Sequence, residues 1–397
     1  MTRTTRIWVT IGCVSLPTGC ANPSADHVGF ESLDSAGVRI VMNAVPEWNP
    51  EEQWRVSSSP MQVLRARNGE LDEALYGVRG AVRLSNGQYV VANGGNHELR
   101  WYDAGGRFLQ RVGREGGGPS EFRSLTGVAH LGADSLLAWD RRNRRVSIFT
   151  FQGVYLGSLP MELSGRVQGV FSDGSLLVGE TVGSDDNGFV RNQIVARRFH
   201  PLTGKTDSLG VYAGDEQIVQ IQVDGSTVRV RGLQAPFGRA GVFTVRDRAY
   251  LVSSQDRFEI QVHEDNRLRF ILRVDRNPER VTAEDIAAFQ HNMLSWLDGP
   301  NVASFRRELQ EIPYPEVFPA HGVIITDAAG RIWVQEYPKP WEPQVAWLVF
   351  DEELRLIAAV TLPAELQVYE IGEAYVLGRW RDDLDVEHVG TYALLKP

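Results

Sequence analysis

Cysteine is nearly absent: the 397 residues contain two, Cys13 and Cys20, too few for a disulfide framework. No apolar run approaches the roughly 20 residues that span a bilayer, so no transmembrane helix is expected. Basic charge is in deficit, with 41 Lys and Arg against 50 Asp and Glu and a net charge of −9. An acidic surface excludes a protein that grips nucleic-acid phosphates. Catalytic and metal signatures are missing too. The eight histidines form no HxxxH or HxxEH pair, no CxxC occurs, and no Gly-x-Ser-x-Gly elbow is present. No cofactor is therefore assigned.

What is present is 39 Gly, 19 Pro, 10 Trp, 11 Tyr and 16 Phe in a chain that is 43% hydrophobic. That mixture favours many short strands joined by tight turns. The first twenty residues differ from the rest. Arg3 and Arg6 precede a short apolar stretch from Ile7 to Leu16, and Thr18 and Gly19 precede Cys20. This layout is a secretory signal, and the terminal Cys makes it resemble a bacterial lipoprotein signal. The position three before the Cys is Pro17, where that family carries Leu. The resemblance implies that Cys20 is lipidated and becomes the mature N-terminus. Ala21, rather than Asp, after it implies the outer membrane. Residues 21–36 read as a tether, and residues 37–397 as one domain.

That domain repeats. The stretch from Gly80 aligns without a gap on the stretch from Gly127, 47 residues on. Leu84 falls on Leu131, Asn93 on Asp140, Asn96 on Asn143 and Trp101 on Ile148. Each unit reads as four antiparallel strands divided by Gly, Asn and Asp turns. Weaker copies start at Gly169, Gly241 and Gly322, and a partial copy runs from Leu366 to the C-terminus. Division of the length by about 40 to 45 residues per unit would allow roughly eight units; the repeats number six. The excess has two homes. One is an extra hairpin, 218–223 with 227–232, around Asp224-Gly225. The other is a helical insert at about 280–312. There Thr282 and Asp285 form a capping-box pattern, and Ile286, Phe289, Met293 and Trp296 follow at helical spacing. The last unit has only three strands, and Gly37 to Asn43 is expected to supply its fourth.

The segment 113–122 (GREGGGPSEF), then LTGV and WDRRNRRVSIF, resembles NHL-type repeats and a group of bacterial six-bladed propeller lipoproteins. Pro236-Phe237-Gly238-Arg239 and the DxxGxIWV stretch from Asp327 to Val334 match further motifs of that group. The resemblance implies an all-β, six-bladed β-propeller of four-stranded antiparallel blades, closed by the N-terminal strand.

In such a ring the second strands end in Asn93, Asp140, Glu180, Ser254, Glu336 and Arg379. These should share one face with the crossovers that carry Glu121, Arg123, Phe237, Arg239 and His321. With Arg142 of the DRRNRR turn they form the candidate binding residues at the channel mouth. Asp140 and Asn143 are expected to bond turn backbone, and Gly116 to Gly118 to form a crossover needing positive φ rather than a phosphate loop. Trp341 is open to two readings, a partner anchor or packing under the Pro-rich loop. The function expected is a lipid-anchored envelope binding module for a protein or small ligand. One alternative is a divalent-metal hydrolase or lactonase, with calcium the ion that lactonase-type propellers use. A second is a scaffold with no small-molecule site.

Overall fold

The computed structural model describes residues 29–46, 48–49, 53–65, 74–183, 186, 188–224, 227–295 and 302–397. The signal, Cys20, Gly225 and Trp296 lie outside them. An N-terminal hairpin, β1 (Phe30–Ser35) and β2 (Val38–Asn43), is followed by two short strands, β3 (Arg55–Val56) and β4 (Gln62–Val63). Sheet I then consists of β5 (Val78–Arg83), β6 (Tyr89–Asn93), β7 (Glu98–Tyr102) and β8 (Phe108–Val112). Sheet II holds β9 (Leu125–Leu131), β10 (Ser135–Asp140), β11 (Arg145–Thr150) and β12 (Tyr155–Pro160). Sheet III holds β13 (Arg166–Val170), β14 (Leu176–Val182), β15 (Gly188–His200), β16 (Lys205–Asp224) and β17 (Thr227–Gln234). Sheet IV is built on β18 (Val242–Arg246), β19 (Ala249–Ser253), β20 (Glu259–Glu264) and β21 (Arg267–Val274). Helices α1 (Ala283–Ser295) and α2 (Val302–Glu311) follow. Sheet V has β22 (Ile324–Thr326), β23 (Ile332–Gln335), β24 (Gln344–Phe350) and β25 (Leu356–Pro363). Sheet VI has β26 (Gln367–Ile371), β27 (Tyr375–Arg381) and β28 (Glu387–Leu395). The chain is thus mostly β, in antiparallel sheets of about four strands, as a propeller requires.

Burial follows from how the sheets stack. All five residues of β6 and of β7 are buried, whereas the outer β8 exposes its middle. A strand covered on both faces must be apolar at successive positions, and the alternation of side chains then serves two neighbours. Leu136 and Ala138 of β10 pack toward sheet I, with Leu99, Trp101 and Phe149. Leu137, between them, packs toward sheet III with Leu176, Val178 and Phe199. Equivalent clusters lie between III and IV, IV and V, and V and VI. A last one joins Leu377 and Val389 of sheet VI to Ala81, Tyr89 and Val91 of sheet I. Trp101 is fully buried and its indole also donates to the Phe151 carbonyl at 2.8 Å, so it ties sheet I to sheet II.

Turn chemistry repeats as well. Asp327 accepts the backbone N–H groups of Ala329 and Arg331, the Arg331 guanidinium at 2.6 Å and the Trp333 indole at 2.9 Å. One buried carboxylate therefore explains the spacing of Asp, Gly and Trp in the DxxGxIWV motif, with Gly330 at φ +76° closing the turn.

The helical insert begins as read. Thr282 and Asp285 exchange bonds, the Thr282 hydroxyl and backbone N–H to the carboxylate and the Asp285 N–H back to Thr282. The fourth strand of the last sheet, however, is not residues 37–43. β2 runs parallel to β21 on the edge of sheet IV, with β1 outside it. Asn43 secures it there: it donates to the Leu354 carbonyl and accepts from the Leu356 N–H, both at 2.9 Å, on sheet V. The strands that pair with β28 are β3 and β4. An exposed edge accepts any extended segment with matching alternation, so the sequence of β2 did not select its partner.

Candidate functional site

The face on which the first strand of each sheet begins carries a recurring device. A polar side chain at the end of the second strand accepts backbone N–H groups of the segment entering the first. Asn93 accepts from Tyr76 N at 2.8 Å. Asp140, fully buried, accepts from Arg123 N, Ser124 N, Arg142 N and Asn143 N, and from the Asn143 amide at 2.7 Å. Glu180 accepts from Ser164 N and from the Arg197 guanidinium at 2.8 Å. In sheet VI the role passes to Glu387, which accepts from Val78 N of sheet I and pairs with Arg379 and Arg381. Entry segments have backbone donors with no strand partner, and buried donors need acceptors. Asn93, Asp140, Glu180 and Arg379 are each engaged within such a latch.

The glycine-rich crossover works the same way. Gly118 N–H donates to Glu121 Oε2 at 2.7 Å, and this bond, joined by Arg114, holds the Glu121 carboxyl below its ordinary value. Arg145 reaches the carbonyls of Gly117, Gly118 and Glu121. A Cβ on Gly116 would fall 2.1 Å from Glu121 Oε2. The loop thus closes on the protein's own carboxylate, and its glycines supply room. Gly116 carries the expected positive φ (+159°), and Gly113 (+112°) and Ser120 (+53°) on either side of it do so too. Arg123, Arg141 and Arg142 are exposed around this loop.

The remaining sequence-derived residues converge where sheets III, IV and V meet α1. Arg239 ion-pairs with the buried Glu216 and with Asp256, and Asp256 also binds Arg191 at 2.8 Å. Burial opposes ionisation of Asp256, yet Ser254 and the two guanidiniums hold its carboxyl below the ordinary value. Gly238 permits this approach, because a Cβ there would lie 2.8 Å from the Ala235 carbonyl and 3.2 Å from Glu216 Cβ. Phe237, at φ +55°, turns into an aromatic cluster with Phe289 (5.1 Å), Phe318 (4.9 Å) and Tyr314 (5.8 Å). Trp341 is half-buried and lies edge-on to Phe237 at 6.0 Å. Phe237, Gly238 and Arg239 of the PFGR motif therefore each have a structural task.

His321 is completely buried. Its Nδ1–H donates to the Gly322 carbonyl at 2.8 Å, which leaves Nε2 to accept the Ser253 hydroxyl at 2.7 Å. Burial pushes its value down to about 4, and Arg276 nearby disfavours the cation further. Glu336 pairs with that Arg276 at 2.6 Å.

Beside these residues opens a pocket of about 400 Å³, walled by Pro236, Phe237, Phe289, Val323, Tyr337 and Pro338, with Gln255 and Gln335 among its few polar groups. Apart from Phe237, which the sequence singled out, much of its lining falls one position away from the residues so chosen. Gly238 and Ala240 flank Arg239, Gln255 follows Ser254, Gly322 follows His321, and Gln335 precedes Glu336. Gln255, at φ +62°, breaks the strand alternation there. Glu216, Gln255 and Gln335 were not legible as site residues. A second pocket of about 410 Å³, more polar, lies outside it between sheets III and IV and includes Ser254, Asp256 and Glu259. Among the described residues no group of three His, Cys, Asp or Glu side chains could hold a metal ion.

No protein-family model matches the chain, and no curated protein matches it. Solved structures do. A putative exported protein from Bacteroides fragilis superposes with a TM-score of 0.50 at 13% identity, covering 90% of this chain and 99% of that one. A DUF4221-family member from Bacteroides vulgatus does so with a TM-score of 0.50 at 10% identity, covering 87% and 99%. At these identities the likeness is one of fold. Virginiamycin B lyase from Staphylococcus aureus follows at a TM-score of 0.41 and 10% identity, covering 80% and 95%. The succession of four-stranded antiparallel sheets is consistent with a β-propeller.

Proposed function

We propose that this chain is a closed six-bladed β-propeller, lipid-anchored through Cys20 at the outer membrane, that binds a small ligand on its crossover face. Six sheets with an apolar cluster at each successive junction, including sheet VI with sheet I, support the ring. So does the supply of outer strands to sheet VI from the N-terminal segment. The signal-like N-terminus and the exported protein among its structural neighbours support the location. The observation that carries the binding reading is the pocket over Phe237. It is concave, largely apolar, and sits where loops of three sheets and α1 converge, as ligand sites do. Arg239, Ser254, His321 and Glu336 act here as the frame behind its wall. Asn93, Glu121, Arg123, Asp140, Arg142, Glu180 and Arg379 belong to the crossovers of the other sheets.

Two experiments test this. A Cys20→Ala chain is expected to leave the membrane fraction; retention there would refute the anchor. A fragment library is screened by thermal shift against the wild type and Val323→Trp, which fills the pocket from a half-exposed position. Fragments that stabilise the wild type by mass action and not the variant are expected. A library without such fragments would refute the pocket.

A further inference from the structure

The pocket's chemistry specifies more than its presence. None of its lining residues is charged. The ions around it are already paired: Arg239 with Glu216 and Asp256, Arg276 with Glu336, and Lys339 with Glu279 at 2.7 Å. A charged ligand would enter without a counter-ion and lose its hydration. Aromatic rings and two prolines form the walls, which suits a flat ring.

Beside the exposed Gln234 amide and the Tyr337 hydroxyl, the polar groups of the lining are two further amides, and one is spent. Gln255 donates to the His321 carbonyl at 2.6 Å and the Gly322 carbonyl at 3.2 Å, and accepts from Ala240 N at 2.7 Å. Gln335 is different. It is more than nine-tenths buried and lines the pocket. Its Oε1 accepts a long bond from Val323 N, 3.4 Å, which sets which end of the amide is oxygen. Its Nε2 has no hydrogen-bond partner among the described residues. Nε2 is not shut off from the pocket, so either water or a ligand acceptor can serve as its partner. Gly322 reinforces the point. A Cβ there would lie 2.5 Å from Gln335 Oε1, so only glycine lets the amide occupy this position.

We infer that the pocket takes an uncharged small molecule bearing a ring and an adjacent carbonyl or other acceptor, and that Gln335 Nε2 donates to that acceptor. This rests on the pocket reading above. The probes are benzamide, benzoate and benzylamine, which share one ring and differ in charge. They are titrated into the full-length protein by ligand-observed NMR, with Val323→Trp as the blocked control. Benzamide is expected to bind about tenfold or more tighter than either ion, a difference of about 1.4 kcal/mol. Gln335→Leu should remove most of that preference. Gln335→Glu, nearly isosteric, should shift it toward benzylamine. Equal binding of benzoate or benzylamine to the wild type overturns the inference, as does a preference that survives both Gln335 variants. If no probe binds while library fragments still report the pocket, the ligand class is wrong and the pocket reading stands. If neither binds, both fall together.

Discussion

The buried histidine gives a prediction whose sign and size follow from its surroundings. His321 has no exposure and no acidic partner; its two ring nitrogens are occupied by the Gly322 carbonyl and the Ser253 hydroxyl. Protonation would break the bond from Ser253, since Nε2 would become a donor, and would place a cation near Arg276 without hydration. Its value is accordingly lowered from 6.5 to about 4. Unfolding restores the ordinary value, so the unfolded chain binds the proton more tightly. Stability from this group is complete above about pH 6.5 and is lost as pH falls toward 4. Below that both states are protonated and the slope vanishes. The gap corresponds to about 3 kcal/mol. Urea unfolding of the wild type and His321→Gln at pH 7.5, 6.0, 5.0 and 4.5 isolates the effect, because other titrating groups are common to both chains. The variant loses a constant amount for the disturbed Ser253. The wild-type advantage should then shrink by 2 kcal/mol or more across this range. An advantage that stays flat, or grows on acidification, would refute the neutral buried tautomer.

Two other substitutions probe the latches. Asp140→Ala strips acceptors from four backbone N–H groups and the Asn143 amide, and should cost about 3–5 kcal/mol in urea unfolding; a loss below about 1 kcal/mol would contradict the latch. Arg239→Ala leaves the buried Glu216 carboxylate without its guanidinium and should cost about 3–5 kcal/mol, of which Glu216→Gln in the same chain restores at least half. Additive losses in that double variant would show that the two residues do not act as a pair.

Local patterns were legible where their causes are local. Asp140 and Asn143 read as a turn whose side chains bond backbone, and Asp140 accepts from its own turn as expected. Thr282 and Asp285 read as a cap because both partners lie within one helical turn. Four-strand units 47 residues apart read as repeated sheets, because alternation and turn residues recur with them. The expected binding residues missed the pocket lining by one position at Ser254 and Glu336. Which of two adjacent residues faces inward depends on ladder register, and the left-handed Gln255 shifts it.

By itself, then, the sequence determined strands, turns and the helical insert, since these depend on neighbours within a few residues. Tertiary structure alone decided which edge received β2, which segment completed sheet VI, and that Glu216 would meet Arg239 across 23 residues of chain. It also decided that Gln335 would line a pocket bounded by three sheets and a helix. Edge pairing and pocket lining are contests among distant segments, settled by which arrangement buries the most apolar surface and leaves the fewest polar groups unpaired.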